Sequence, residues 1–196
     1  MASDWDKVLA GGALDSQSEE IANDRIRGQA LLTQLNASPA GDQPLRQRLC
    51  GELFGHCPDS CWISTPFTCE FGRNIHIGEK TFFNFNITIL DVGEVHIGNH
   101  VLLAPNVQIY TATHSTDYLE RRHWTAYNKP VHIGDDCWIG GGAIICPGVT
   151  IGARSIIGAG AVVTRDIPAD SVAVGNPARV IRTLTPDAPR GWELAL

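Results

Sequence analysis

The chain has 196 residues, 43% of them hydrophobic and 18% charged, with a formal net charge of −6. That length and balance fit one globular unit with a sizeable core and exclude intrinsic disorder. The acidic charge argues against non-specific nucleic-acid binding, and no apolar run approaches the roughly 18 residues of a membrane span. The N-terminus, Met1-Ala2-Ser3-Asp4-Trp5-Asp6, lacks the basic and apolar regions of a signal peptide, so a cytoplasmic protein is expected. Six cysteines in a chain of this size are no disulfide scaffold. Cys57 and Cys61, beside His56, raise the question of zinc. No second pair follows with finger-type spacing, so packed or idle thiols are expected and no metal.

Residues 1–55 read as an N-terminal helical cap segment. Asp4 to Leu9 can form a short helix. Ser16-Gln17-Ser18-Glu19 has capping-box spacing and opens a longer helix to about Leu35. Ile21, Leu31 and Leu35 can share its buried stripe, with Asp24, Arg25 and Arg27 largely solvated. After a break at Ser38-Pro39-Ala40-Gly41, Asp42-Gln43-Pro44 starts a third helix. Leu45, Leu49 and Leu53 fall at i, i+4 and i+8 on one of its faces.

From about Trp62 the rhythm changes to six. Ile63, Cys69 and Ile75 are spaced by six; so are Ile77, Phe83 and Ile89, and then Ile97, Leu103 and Ile109. The clearest run is Ile133, Ile139, Ile145, Ile151, Ile157 and Val163, with mostly small residues four places after each anchor. A six-residue period is the signature of a parallel β-helix, in which three hexapeptides make one triangular coil. Anchors point into the prism and small residues sit at the corners. Such a coil needs a cap, because its end exposes unpaired backbone and an apolar interior. Residues 56–182 are therefore read as the hexapeptide-repeat domain.

Three near copies, Ile75-His76-Ile77-Gly78, Val95-His96-Ile97-Gly98 and Val131-His132-Ile133-Gly134, help with the register. The first two lie 20 residues apart, one coil of 18 residues plus a two-residue extension, and the last two 36 apart, two coil lengths. The stretch Ser115–Pro130 has no hexad anchors and reads as a loop extruded from the prism. Long loops of this kind are more often functional than accidental. Alternation along each side turns His76, His96 and His132 outward as solvent-facing ladder residues. His114 differs, because it stands at the root of the extruded loop. Beyond Arg182, residues 183–196 read as a loose tail. A smooth prism has no cleft of its own, so a site is expected in the groove between copies of the chain.

Several segments resemble the maltose/galactoside O-acetyltransferase family. They are Asn84-Phe85-Asn86, Leu103-Ala104-Pro105-Asn106-Val107, Tyr110-Thr111-Ala112-Thr113-His114, Cys137-Trp138-Ile139-Gly140-Gly141-Gly142-Ala143, Pro147-Gly148-Val149-Thr150-Ile151-Gly152 and Val174-Gly175-Asn176-Pro177-Ala178. The resemblance runs from about Trp5 to Arg182. It implies a mainly β fold, a left-handed parallel β-helix with an N-terminal α-helical cap and one extruded loop. It also implies a homotrimer with sites at subunit interfaces, and acetyl-CoA as donor to a sugar hydroxyl, the 6-hydroxyl by analogy. Hand, trimer and donor come from the resemblance, not from the spacing.

Carried over residue by residue, the resemblance makes His114 the general base, with Asn84 beside it and the acceptor. A histidine ionises near neutrality and can take the proton of a hydroxyl as it attacks a thioester. Acetyl-CoA falls to Trp138, Gly141, Ala159, Thr164, Arg165, Arg179 and Arg182. Gly141, where many relatives carry serine, offers only its main chain, as an N–H donor to the oxyanion. The three arginines suit phosphates. Acceptor candidates are Asp15, Glu70, Asn84 and Asp91, although the register near Leu14 leaves Ser16 or Ser18 open in place of Asp15. Other readings stay open: a hexapeptide acetyltransferase for a xenobiotic or for serine, and a zinc enzyme resembling gamma-type carbonic anhydrases.

Overall fold

Every hexad anchor points into one continuous apolar interior. From Ile63 to Val163 the anchors are at most 5% exposed, and most are at 0%. Each buried aliphatic side chain contributes roughly 1.5–3 kcal/mol, and stacking repeats the same shape on the coil above. The fourth-place residues Cys137, Ala143, Val149, Ser155, Ala161 and Ile167 are buried as well, each where the backbone rounds a corner. This computed structural model describes residues 2–15 and 17–185.

The prism has three faces of short parallel strands. One contains Trp62–Ile63, Phe82–Phe83, Leu102–Leu103, Trp138–Ile139 and Ile156–Ile157, then Ser171–Val174 and an antiparallel Arg179–Thr183. A second contains Ile75–Ile77, Val95–Ile97, Val131–Ile133 and Thr150–Ile151. The third contains Phe67–Cys69, Ile87–Leu90, Gln108–Tyr110, Ile144–Ile145 and Val162–Val163. Ile97 pairs directly with Ile133, so the 36-residue interval is one coil with an insertion, not two coils.

The corners rely on left-handed backbone. Asn86, Asn106, Gly142 and Gly160 have φ of 61°, 63°, 68° and 68° on successive coils. Asparagine and glycine adopt that region at least cost. At another corner Lys80, His100, Asp136, Arg154 and Asp170 do the same with φ between 55° and 60°. There Arg154 grips Asp170 through two bonds of 2.6 and 2.7 Å.

Three helices precede the prism: α1 (Asp4–Leu9), α2 (Glu19–Ala37) and α3 (Gln43–Leu53). α1 and α3 start where the sequence puts them. Ser3 and Asp6 form a capping box on α1, and Asp42 caps α3 with Pro44 in its first turn. α2 begins later than the Ser16–Glu19 reading, with Ser18 as its N-cap and Ile21 at the N3 position; Ser16 lies outside the described residues. Ser18 Oγ accepts from Ile21 N–H and donates to Asp4, tying α2 to α1. Leu49 and Leu53 are buried as expected, and Leu45 packs against them. On α2, Gly28 and Leu32 join Ile21 and Leu35 in the buried stripe.

The expectation that Asp24, Arg25 and Arg27 are largely solvated holds for Arg27, which is exposed, and is corrected for Asp24 and Arg25. Asp24 accepts from the Trp5 indole and pairs with Arg73 and Arg27, while Arg25 pairs with Glu70 at 2.9 Å over the Phe71 ring. These pairs fix α2 against the side of the prism. A second apolar cluster of Trp5, Val8, Ile21, Phe71 and Val92 seals the same junction. Arg46 on α3 is buried and donates to Ser38 Oγ and to the Ile63 carbonyl, docking the helices on the first coil.

Two further expectations change. The extruded loop is not irregular throughout. It carries a short helix α4 (Tyr118–Arg121), and Tyr127–Asn128 pairs antiparallel with Ala112–Thr113. The tail does not begin at residue 183, because Thr183 belongs to the last strand; residues 186–196 lie outside the described part. The final strand folds back because the prism's end offers the Ser171–Val174 edge, and pairing there satisfies its backbone. All six cysteines are unbridged. No helix among the described residues is long and apolar enough to cross a membrane.

Candidate active site

His114 follows the strand Ala112–Thr113, and the loop doubles back over it. Its Nδ1 lies 2.8 Å from the Thr125 carbonyl oxygen. A carbonyl can only accept, so Nδ1 carries the proton and Nε2 is left with its lone pair. The ring is exposed and shares a recess of about 400 Å³ with Arg121 and Trp124. Arg121 holds the loop shut by donating to the carbonyls of Ser115 and Thr116. Trp124 stands out at 88% exposure.

The N-terminal segment reaches this loop, which the periodicity gave no sign of. Leu14 N–H donates to the Ala126 carbonyl at 2.9 Å, and Asn128 donates to the Val8 carbonyl at 2.8 Å. Asp15 is thereby brought one residue from the strand partner of the loop that holds His114. Its carboxylate accepts from Gln17 N–H and is otherwise exposed.

Asn84 is half-buried where the first face turns into the third, and its Oδ1 accepts from Phe85 N–H at 2.8 Å. The asparagines that make the left-handed corner ladder are Asn86 and Asn106. Asn84 is not part of that ladder.

Glu70 and Asp91 are linked. Asp91 Oδ1 accepts from the backbone N–H of Glu70 and Phe71 at 3.0 and 2.9 Å. Asp91 itself is 0% exposed, and its Oδ2 has no partner among the described residues. Burial pushes its carboxyl up to about 7, against those N–H bonds, which favour the charged form. As an acceptor ligand it is out of reach. It shapes the Glu70–Phe71 turn instead.

The first face carries a groove of about 290 Å³ that includes Trp138, Gly141, Ala159, Val174, Ile181 and Arg182. Four of these were expected from the sequence; Val174 and Ile181 were not, although Ile181 is an aliphatic residue left 63% exposed. Gly140 and Gly142 donate to the Ile157 and Pro105 carbonyls of the neighbouring coils, whereas Gly141 N–H finds no acceptor among the described residues. At Gly140 an added Cβ would lie 2.6 Å from Ala159 N, so glycine there lets the coils approach. Thr164, Arg165 and Arg179 are exposed but do not line this groove. Arg179 folds back on the Ala178 carbonyl. His114 does not line it either.

A β-helix of hexapeptide coils with a free imidazole at an extruded loop, and an apolar groove along one face, defines a hexapeptide-repeat acyltransferase. Comparison with known proteins narrows this. Residues 130–165 match the bacterial transferase hexapeptide (six repeats) model, and residues 7–58 match the maltose acetyltransferase hexapeptide capping motif. The galactoside O-acetyltransferase of Escherichia coli (strain K12) is 39% identical over 179 residues, covering 91% of this chain and 88% of that one. A maltose O-acetyltransferase from Clostridium difficile 630 superposes with a TM-score of 0.91 at 41% identity, covering 94% of this chain and 98% of that one. A hexapeptide-repeat acetyltransferase from Vibrio cholerae O1 biovar eltor, complexed with acetyl coenzyme A, gives 0.89 at 44%, covering 94% and 100%. The chain belongs to the maltose/galactoside O-acetyltransferase family, and its coil is a left-handed β-helix like those of its neighbours.

Proposed function

We propose that the protein transfers the acetyl group of acetyl-CoA to a hydroxyl of a sugar or glycoside, the 6-hydroxyl by family analogy. The observation that carries this reading is the His114 imidazole, locked by the Thr125 carbonyl with Nε2 free. The acceptor hydroxyl gives its proton to Nε2 while its oxygen attacks the thioester carbonyl carbon. The tetrahedral oxyanion accepts from Gly141 N–H. The C–S bond then breaks, and the CoA thiolate takes the proton back from the imidazole. Asn84 positions the acceptor or the histidine, with Asp15 and Glu70 as further acceptor contacts. Trp138, Gly141, Ala159 and Arg182 hold the pantetheine arm, and Thr164, Arg165 and Arg179 take the nucleotide end.

The histidine recess and the groove are separate in one chain. That supports a homotrimer in which His114 of one subunit meets the groove of the next. We place the protein in the cytoplasm, a reading supported by its six unbridged thiols. A CoA-release assay across glucose, maltose, galactosides, serine and chloramphenicol tests the proposal. Sugars are expected to turn over fastest, and His114→Ala to lower turnover by about 10²–10⁴-fold. Wild-type turnover in that variant, or release with serine or chloramphenicol alone, overturns it.

A further inference from the structure

The second face of the prism carries none of the residues assigned to acetyl transfer. It carries histidines instead. His76, His96 and His132 are direct lateral neighbours in the parallel ladder, and His56 bridges to His76 below them. The rings stack at 4.8 Å and 12° between His76 and His96, and at 5.0 Å and 4° between His96 and His132. They border an open groove of about 470 Å³. Glu94, two residues before His96, points the same way by strand alternation. Its Oε2 lies 3.2 Å from His96 Nε2.

Among the described residues, His76, Glu94 and His96 are the one group of three whose ligand atoms converge, all within 4.8 Å of one another. Zinc bonds to histidine nitrogen and carboxylate oxygen are about 2.0–2.2 Å, so two ligands on one tetrahedral zinc stand about 3.4 Å apart. The His96–Glu94 pair is already near that separation. The other two edges both run to the half-exposed His76 ring and are at most 4.8 Å long, and rotation of that ring brings them to ligand spacing. The backbone supplies the preorganisation, because the ladder holds the two histidines one strand spacing apart on a rigid sheet. Two imidazoles and a carboxylate, with a water in the fourth place, suit a borderline divalent ion and not a hard one such as magnesium.

We propose that His76, Glu94 and His96 form a zinc site on the open face of the prism, stapling two successive coils outside the acetyl-transfer site. Both imidazoles and the carboxylate come from one chain, so the site does not depend on assembly. Zinc binding to the metal-stripped full-length protein, read by calorimetry, tests this. One zinc per chain with a micromolar or tighter Kd is expected. His76→Gln, His96→Gln and Glu94→Gln each remove a ligand and are expected to weaken it by about 10²-fold or more, beyond the roughly 10–100-fold typical of losing an outer-shell partner. His114→Ala and Cys57→Ser should leave it unchanged. Cobalt(II) in place of zinc should give the visible bands of a four-coordinate nitrogen and oxygen site in the wild type, lost in Glu94→Gln. No stoichiometric zinc overturns the proposal. So does zinc that survives His96→Gln and Glu94→Gln, or zinc lost with His114→Ala or Cys57→Ser.

Discussion

Asp91 shows how one buried carboxyl sets a pH dependence that has nothing to do with the reaction. Burial raises it from an ordinary value of 3.8 to about 7, so the folded state holds its proton more tightly than the unfolded state. Its contribution to stability is fully present below about pH 4 and is lost as pH rises through 7. Asp91→Asn removes that titration. The stability difference between wild type and variant is expected to change by a few kcal/mol between pH 4 and 7 and to be flat above pH 8. Urea denaturation across that range measures it, and a difference independent of pH would refute the assignment. Asp24 has the opposite sign. Burial works against its charge, but Arg73, the Trp5 indole and Arg27 together lower its pKa, so its contribution is lost as pH falls. His114 is governed by geometry: the Thr125 carbonyl selects the tautomer that has a basic Nε2.

At the scale of elements, the contact between α2 and the prism rests on a glycine. A Cβ added at Gly28 would lie 2.2 Å from the Phe71 carbonyl oxygen. In an exposed helix Gly→Ala stabilises by about 1 kcal/mol. Here the sign should reverse. Gly28→Ala must push the helix away from Phe71, and overpacking of this kind costs about 1–3 kcal/mol. A lower urea midpoint with an unchanged slope is the expected result, and a raised midpoint would show that the helix yields freely. The same junction bears on the site, because Phe71 N–H is held by Asp91 and Glu70 by Arg25. The extruded loop is held from outside by the Leu14–Ala126 bond and from within by Arg121 across its own neck.

At the scale of the whole molecule, the decisive question is whether one site draws on two chains. If His114 and the Trp138 groove meet only between neighbours, mixed assemblies should complement. His114→Ala and Trp138→Ala chains, each nearly inactive alone, are to be unfolded together and refolded at equal concentration. About one quarter of the interfaces then pair an intact histidine with an intact groove. Roughly a quarter of the wild-type activity should return. Activity no greater than that of the separate variants would mean that each chain builds its site alone.

The six-residue spacing of aliphatic anchors was enough to determine the parallel coil and its interior, but not the register across the extruded loop, where Ile97 pairs with Ile133. An isoleucine at every sixth place has a single way to be buried on every coil. The three helices were legible too, from caps and from the Leu45–Leu49–Leu53 face, except at Ser18, where two serines of equal capping power competed two residues apart. His114 stood out because the rhythm fails beside it. The tautomer of His114 was decided only by tertiary structure, since Thr125 lies 11 residues away on a loop with no period. The burial of Asp91 was also hidden. An aspartate just past a strand end reads as exposed until the Glu70–Phe71 turn folds onto its carboxylate. The stacked histidines were visible as three copied motifs, but their convergence with Glu94 needed the coil's pitch. Periodicity states which side a residue faces; distances between side chains on that side depend on how successive turns are stacked.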